Sequence, residues 1–246
     1  MYDIEQSYWW FVGKQFLVRS ILETIACDDP AKDKILDVGC GTGTVLKRLQ
    51  EFGVAYGVDL SSDAIQFLKK RNLNMIACSD VSRSIPFKDE VFSVITCLDV
   101  LEHLDDDLTL LSEMVRVCRP GGYIVLTVPA LDFLWSPHDI ALHHKRRYTK
   151  KRLLKKVCAL RVKVTKKSYY NTLLSLPILA VRKLKPLFSG KQDVQSDFFI
   201  SLPRWLNAFL TFVFVAEIRF LRRVDLPIGV SLLLIMQKLT RRAADS

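Results

Sequence analysis

A short segment with three glycines constrains the fold of this chain more than any other feature. The apolar run Ile35–Val38 carries an acidic residue, Asp37, and is followed by Gly39, Gly41 and Gly43. A helical pattern of apolar residues begins immediately afterwards. A strand, a glycine turn and a helix in this order let a ligand approach bare backbone, as in nucleotide-binding folds.

The order of acidic residues and glycines separates two kinds of ligand. A second apolar run ends at Asp59, where a carboxylate reaches the hydroxyls of a ribose. A dinucleotide-binding turn has the spacing G-x-G-x-x-G and places a helix N-terminus against a pyrophosphate. Here the spacing is G-x-G-x-G, and Asp37 stands ahead of the glycines. Its charge would repel a pyrophosphate and suits an ammonium or sulfonium group.

Four further segments follow the glycine turn, at residues 57–61, 79–81, 92–104 and 119–128. Together with residues 35–43 they resemble the ordered motifs of the class I S-adenosylmethionine-dependent methyltransferases. The resemblance implies a Rossmann-like three-layer α/β sandwich with a seven-stranded, mostly parallel sheet whose last strand is antiparallel. It also implies an enzyme that uses S-adenosyl-L-methionine as its cofactor. A Rossmann-like domain for another nucleotide is the alternative.

The resemblance assigns cofactor-binding roles to ten residues. Asp37 is expected to face the methionyl ammonium group, directly or through water, and Asp59 the ribose hydroxyls. Asp80 is expected to contact the adenine amino group, with a simple turn residue before Ser82 as the alternative. The other positions are expected to give close backbone approach or to lie near the nucleoside: Gly39, Gly41, Gly43, Leu60, Ser79, Val81 and Leu98.

Histidines are the candidate catalytic residues, because an oxygen or nitrogen acceptor must lose a proton and histidine is the usual base near neutral pH. His138 and His143 lie in the loop after the predicted fifth strand, and His103 lies at a predicted strand-to-helix turn. A hydrogen-bonding surface role is the alternative for the loop histidines. Residues 8–11 and 135–148 also resemble the type 11 subgroup of the family, whose members are often encoded beside glycosyltransferases.

Three residues form a cluster that could bind a metal ion. Asp99, Glu102 and His103 would share one face of a helix that begins there. The set is similar to a cluster in the ubiquinone O-methyltransferases that can hold a divalent cation. We favour a capping turn that lines the substrate pocket and therefore predict no metal.

Charge is distributed unevenly along the chain. Residues 1–144 contain 13 Lys and Arg against 21 Asp and Glu, whereas residues 145–246 contain 23 against 5. A basic C-terminal part indicates an anionic partner, either a membrane surface or nucleic acid. Long aliphatic stretches alternate with these charges, which disfavours nucleic acid.

The domain prediction has three parts. Residues 1–30 form an N-terminal helix over the cofactor cleft, residues 31–170 and 224–246 form the methyltransferase domain, and residues 171–223 form an insertion with helices near 171–188 and 203–223. Trp205–Ala216 is apolar nearly all round, has basic flanks, and is shorter than the roughly 20 residues that span a bilayer. Contact with a membrane interface is favoured over a lid or a homodimer interface.

The predicted function is O-methylation of a hydrophobic or lipid-linked small molecule at an anionic membrane surface. The N-terminal residues lack a secretory signal, which predicts a cytoplasmic protein bound peripherally to the inner face of the membrane. Two alternatives remain open. One is a methyltransferase for a soluble sugar or small metabolite with the insertion as a lid, and the other is a non-catalytic cofactor-binding scaffold.

Overall fold

A computed structural model describes residues 5–25, 33–175 and 202–240, which contain one seven-stranded sheet. The strands are β1 (Lys34–Val38), β2 (Val54–Asp59), β3 (Ile76–Cys78), β4 (Phe92–Leu98), β5 (Cys118–Pro129), β6 (Val162–Tyr170) and β7 (Ser231–Lys238). Their order across the sheet is β3-β2-β1-β4-β5-β7-β6. The first five strands pair in parallel and β7 pairs antiparallel with both neighbours, which confirms the predicted fold class.

Helices cover both faces of the sheet. They are α1 (Trp9–Leu22), α2 (Thr44–Leu49), α3 (Ser62–Lys70), α4 (Asp107–Val117), α5 (Pro137–Ala141), α6 (Lys150–Val157) and α7 (Arg204–Leu221). Apolar residues of α1, α2, α3 and α7 form the core on one face, and those of α4 and α6 form the core on the other. Because both faces are covered, β4 is an almost uninterrupted apolar and buried strand.

The crevice of this fold lies where the strand order reverses, between β1 and β4. Asp37 of β1 is paired in register with Gly57 on one side and Thr96 on the other. The carboxyl ends of the parallel strands meet at one edge, so the segments after them converge there. All the predicted cofactor residues lie in or directly beside these segments.

In chain order, helix α7 follows β6 and precedes β7, and it lies within the predicted helix at 203–223. Most of the other predicted helix of the insertion, at 171–188, lies outside the described residues. One face of α7 packs through Phe214 and Ile218 into the core with α1. The opposite face is open, and its exposed aromatic residues, here called the aromatic stripe, are Trp205, Phe209, Phe212 and Phe220.

No helix in the described part of the chain has the length and apolar character needed to cross a bilayer. Helix α7 spans 18 residues, but Arg204, Glu217 and Arg219 interrupt its apolar sequence. The buried Glu217 accepts hydrogen bonds from the backbone N–H groups of Thr172 (3.1 Å) and Leu173 (2.8 Å). This helix is therefore anchored to the domain while its aromatic stripe faces outward.

Candidate active site

The glycine loop is held in place by Asp59 at the end of β2. One carboxylate oxygen of Asp59 accepts a hydrogen bond from the N–H of Gly41 (2.8 Å), and the other accepts one from the N–H of Ser61 (2.9 Å). The N–H of Gly39 donates to the carbonyl of Val58 (2.8 Å). Asp59 thus fixes the loop, and its remaining lone pairs are available for the predicted contact with a ribose.

Two glycines of the loop serve different purposes. Both have left-handed backbone, with φ of +51° at Gly41 and +83° at Gly43. A Cβ added at Gly43 would lie 2.2 Å from the side chain of Leu68, so Gly43 allows the loop to pack on α3. A Cβ at Gly41 would meet nothing within 4 Å. The backbone at Gly41 is therefore bare toward open space, as a bound ligand requires.

Asp37 lies behind the glycine loop and does not line the cavity described below. Its side chain is buried and accepts a hydrogen bond from Thr96 Oγ1 (2.7 Å). Burial raises the pKa of Asp37 to about 7, although the Thr96 hydrogen bond opposes the shift. Direct contact with an ammonium group is not visible in this arrangement, so the predicted role of Asp37 remains a prediction.

The residues predicted near the adenine lie at the ends of β3 and β4. Asp80 accepts hydrogen bonds from the N–H (3.0 Å) and hydroxyl (2.6 Å) of Ser82, which closes a turn as the alternative interpretation proposed. Of the remaining predicted residues, Leu98 lines the cavity, Ser79 is half-buried, Val81 is buried and Leu60 is exposed.

A cavity of about 450 Å³ opens beside the glycine loop at the carboxyl ends of the strands. Three walls enclose it. The glycine-loop wall consists of Gly39, Gly41, Thr42 and Leu98. The aromatic wall consists of Tyr8, Trp9, Trp10 and Phe11, and the acceptor wall consists of Glu102, His103, His138 and His144. No residue of α7 is among those that line this cavity, so the described helix of the insertion is not a lid over it.

The aromatic wall is held by buried charges of the N-terminal segment. The carboxylate of Glu5 accepts hydrogen bonds from the hydroxyls of Thr42 and Thr44 and from Arg71. Lys14 of α1 is buried, forms an ion pair with Asp99, and donates to Thr127 Oγ1 (2.9 Å). These contacts connect the N-terminal segment to both the glycine loop and the end of β4.

Asp99 does not share a helical face with Glu102 and His103, so the predicted common face of these three residues is wrong. Asp99 has left-handed backbone, with a φ of +56°, and the 3-10 turn begins only at Leu101. Burial would lower the pKa of Lys14, but the neighbouring carboxylate of Asp99 raises it above its ordinary value. Asp99 and Lys14 remain an ion pair at neutral pH.

The two predicted histidines of the loop after β5 lie in different surroundings. His138 is buried in α5 and lines the cavity, whereas His143 is exposed and lies outside it. The next residue, His144, faces the cavity, and its ring lies edge-on to that of His103 with centroids 4.9 Å apart. Burial, and then His144, lower the pKa of His103. The sequence prediction did not include His144.

A buried ion pair fixes the orientation of His144. Its Nδ1 lies 2.9 Å from a carboxylate oxygen of Asp139. Arg147 donates to both carboxylate oxygens of Asp139, each at 2.9 Å, and to the carbonyl of Ala130 (3.0 Å). Ser136 donates its N–H to the same carboxylate (2.9 Å), completing the N-terminal cap of α5. Nε2 of His144 is left directed at Glu102.

Glu102 is fully buried, and neither of its carboxyl oxygens has a hydrogen-bond partner among the described residues. The nearest polar group across the acceptor wall is Nε2 of His144, 3.9 Å from Oε1. Burial, and then the charge of Asp99, raise the pKa of Glu102 well above its ordinary value. A buried acid without a partner is costly, and in a cavity wall it indicates a ligand.

A divalent cation is a second use that the acceptor wall allows by distance alone. Ligand atoms of Glu102, His103 and His144 all lie within 4.8 Å of one another. The positive charges of Lys14 and Arg147 act on Glu102, however, and Asp99 is already paired with Lys14. The nearby charges of Lys14 and Arg147 disfavour a divalent cation, and the absence of a metal stays a prediction.

Comparisons with known proteins agree with this geometry. Residues 36–126 match the family model described as a methyltransferase domain. The chain is 33% identical over 143 residues to the ubiquinone biosynthesis O-methyltransferase of Coxiella burnetii, covering 53% of this chain and 60% of that protein. It is 31% identical over 141 residues to the norajmaline N-methyltransferase of Rauvolfia serpentina, covering 53% and 47%.

Residues 36–126 are a methyltransferase domain by their match to this family model.

Solved methyltransferase structures share the fold of this chain. A SAM-dependent methyltransferase from Archaeoglobus fulgidus superposes with a TM-score of 0.56 and 21% identity, covering 91% of this chain and 94% of that one. A geranyl diphosphate methyltransferase in complex with SAM superposes with a TM-score of 0.58 and 15% identity, covering 90% and 84%. The chain spans about half the length of the curated relatives it matches.

S-adenosylmethionine, the cofactor of such methyltransferases, fits the residues of this cavity. The bare backbone at Gly41 leaves space beside the loop, and Asp59 stands at its edge with unused lone pairs. Bound there, the cofactor supplies a methyl group activated by a sulfonium centre. The chain itself contributes the bare loop, an aromatic wall that excludes water, and polar groups on the facing wall.

Proposed function

We propose that this chain is an enzyme that transfers a methyl group from S-adenosylmethionine to an oxygen atom of a hydrophobic, lipid-linked small molecule at an anionic membrane surface. The observation that carries the enzymatic part is the cavity itself. It brings the glycine-loop wall opposite three histidines and Glu102, an acid without a hydrogen-bond partner among the described residues. A non-catalytic scaffold needs no such acceptor wall.

The apolar character of the acceptor is supported by the aromatic wall. Tyr8, Trp10 and Phe11 line the cavity, and Trp9 and Trp10 pack against Phe214 of α7 with ring centroids 5.9 and 6.0 Å away. Packed aromatic rings favour an apolar or aromatic substrate body. The curated relatives named above are one O- and one N-methyltransferase, so the acceptor atom has to be argued from the acceptor wall.

The membrane part rests on α7. Its aromatic stripe repeats at intervals of three to eight residues along one side, with 72% of Trp205 and 68% of Phe212 exposed. Arg204 lies at the start of the helix, and Arg222 and Arg223 follow its end; all three are exposed. Aromatic residues between basic ends suit the interface of an anionic bilayer. The same helix supports the aromatic wall from behind.

A basic surface near the β6 edge would add to the attraction between this protein and an anionic membrane. Exposed cations lie on α6 and along β6: Lys151, Arg152, Lys155, Lys163 and Lys167. Across the described ranges, none of these five side chains forms an ion pair. Each cation near an anionic leaflet contributes on the order of 1 kcal/mol at low salt.

Calorimetric titration of S-adenosylmethionine tests the cofactor site. We expect binding to the wild type, and at least about tenfold weaker binding to Asp59→Ala, because this variant loses the support of the loop and the ribose contact. Asp63→Ala, on the exposed first turn of α3, is the matched control and should bind like the wild type. Equal binding to Asp59→Ala, or none to the wild type, contradicts the assignment.

Sedimentation with lipid vesicles tests the membrane contact. The wild type should pellet with phosphatidylcholine vesicles that contain phosphatidylglycerol, and much less with pure phosphatidylcholine. Phe209→Ser/Phe212→Ser should bind at least about tenfold more weakly, whereas Phe133→Ser, an exposed aromatic outside α7, should not. No pelleting of the wild type at low salt would remove the membrane from the proposal, and equal pelleting of the double variant would remove α7.

The acceptor class is tested by incubating the protein with labelled S-adenosylmethionine and separate lipid and polar cell extracts. Mass spectrometry then shows which fraction gains a methyl group. We expect label in the lipid fraction. Label confined to the polar fraction would indicate a soluble metabolite, and no label in either would contradict the enzymatic proposal.

A further inference from the structure

The gap between His144 and Glu102 has the size of one bound atom. Nε2 of His144 and Oε1 of Glu102 are 3.9 Å apart, which is too long for a direct hydrogen bond. Both residues line the cavity. An oxygen atom at about 2.8 Å from each would form two hydrogen bonds with an angle near 90° between them.

His144 is arranged to accept a proton. With Nδ1–H donating to Asp139, the lone pair of Nε2 is directed into the gap. Asp139 is already paired with Arg147, so the histidine is oriented by a carboxylate whose charge is neutralised. The pair therefore holds the His144 ring with Nε2 facing the gap, and the carboxylate of Asp139 stays within 2.9 Å of Nδ1.

Glu102 is arranged to donate a hydrogen bond. It is fully buried and has no hydrogen-bond partner for either oxygen among the described residues. Burial and the charge of Asp99 raise its pKa and outweigh the opposing charges of Lys14 and Arg147. A carboxyl group in this position keeps its proton and has one O–H donor to offer. The group that accepts this hydrogen bond must also give a proton to His144.

We propose that the acceptor presents a hydroxyl group in this gap, with its proton directed at Nε2 of His144 and its oxygen accepting a hydrogen bond from Glu102. The inference rests on the proposed methyltransferase function and assigns the acceptor atom. A hydroxyl oxygen has two lone pairs, so it accepts from Glu102 with one and attacks with the other. A neutral amine has a single lone pair, which cannot serve both purposes.

The proton and electron balance is complete without a further reactant. The O–H bond breaks and its proton moves to Nε2 of His144. The oxygen lone pair forms the bond to the methyl carbon while the carbon–sulfur bond breaks and its electrons remain on sulfur. The hydrogen bond from Glu102 stabilises the charge that develops on oxygen.

Two adjacent histidines provide the matched variants. We expect His144→Gln to lower kcat by about 10²- to 10⁴-fold with little change in KM, measured with labelled S-adenosylmethionine on the lipid fraction that the wild type labels. His143→Gln, on the exposed neighbour outside the cavity, should stay within about twofold of the wild type. Equal activity of the two variants overturns the assignment of His144, whereas an inactive wild type overturns the proposed function instead.

Substitutions of Glu102 separate a hydrogen-bond donor from a metal ligand. Glu102→Gln keeps an N–H donor and should retain kcat within about tenfold, whereas Glu102→Leu should lose about 10²-fold or more. EDTA should not change the activity. Loss of activity in Glu102→Gln together with sensitivity to EDTA overturns the proposal in favour of a divalent cation.

Two measurements do not depend on turnover efficiency. Long-range ¹H–¹⁵N spectra of labelled protein, assigned with His144→Gln, should show the neutral His144 ring protonated at Nδ1 and bare at Nε2. A proton on Nε2 instead overturns the proposed base. In the labelled product the new methyl group should be bonded to oxygen, and a methyl group on nitrogen or carbon overturns the hydroxyl assignment.

Discussion

The glycine-loop wall and the acceptor wall of the cavity are built on opposite principles. In the glycine-loop wall, Asp59 binds two backbone N–H groups and Asp37 is bonded to Thr96, so the acids that support the loop are satisfied by the protein. In the described part of the acceptor wall, Glu102 is buried without a hydrogen-bond partner, whereas Asp139, which contacts His144, has several. The first wall is complete in the free protein, whereas the second wall is completed only by a ligand.

The largest stability effect is expected behind the acceptor wall. Arg147→Met leaves Asp139 buried without its main partner and should lower the free energy of unfolding by about 3–5 kcal/mol in urea titrations. Arg146→Met removes a half-buried side chain 3.7 Å from Asp107 and should cost about 1 kcal/mol. Similar losses in both variants would show that the Asp139 pair is not the structural support of this wall.

A pH-dependent effect of comparable size is expected behind the glycine-loop wall. The folded protein holds the proton of Asp37 up to a pKa of about 7, whereas the unfolded chain releases it near 3.8. The wild type should therefore lose roughly 4 kcal/mol of stability relative to Asp37→Asn as the pH rises from 4 to 7.5. Urea titrations of both proteins across this range measure the difference. A constant difference would mean that Asp37 is ionised in the fold.

Two glycines test whether the loop serves the fold or the ligand. Gly43→Ala would clash with Leu68 and should lower the free energy of unfolding by about 2–3 kcal/mol. Gly41→Ala should lower the free energy of unfolding by about 1 kcal/mol, because alanine is strained in a left-handed backbone. Its methyl group would, however, occupy the space beside the loop. We expect Gly41→Ala to lose more affinity for S-adenosylmethionine in calorimetry. The reverse order would place the ligand elsewhere.

The smallest expected effect is an increase in stability. Glu102→Leu removes a buried acid without partners and should raise the free energy of unfolding by about 1–2 kcal/mol while activity falls. Glu113→Leu is the matched control, since Glu113 binds Arg116 and the N–H of Ile85, and it should be destabilised. Thermal unfolding of the two variants gives the comparison, and destabilisation of both would indicate a hidden partner for Glu102.

The sequence was sufficient for the fold class and for the location of the glycine loop. The family resemblance implied a seven-stranded, mostly parallel sheet with an antiparallel last strand, and the structure confirms it. The loop could be located for the same reason, since left-handed glycines and Asp59 act within 20 residues of one another.

The acceptor wall could not be derived in this way. His143 and His144 are chemically identical neighbours, and a left-handed backbone at His143 (φ +56°) accompanies the turn that directs the second one inward. The partner of Asp99 is Lys14, 85 residues away, so the helical spacing with Glu102 was misleading. The local sequence signal nearest to His144 is the capping box of Ser136 and Asp139, which the structure connects to His144 through Asp139.

The contact between the N-terminal segment and α7 has a consequence for folding. Asn207 of α7 accepts a hydrogen bond from the N–H of Trp9 (2.9 Å) and donates one to the carbonyl of Ser7 (2.7 Å), across about 200 residues. Such a contact closes a very long loop and carries a high entropic cost. During synthesis the aromatic residues emerge first, yet Trp9 and Trp10 gain their packing against Phe214 only when α7 has left the ribosome. The nascent chain therefore completes the aromatic wall only after the residues of the glycine loop and the acceptor wall have been made.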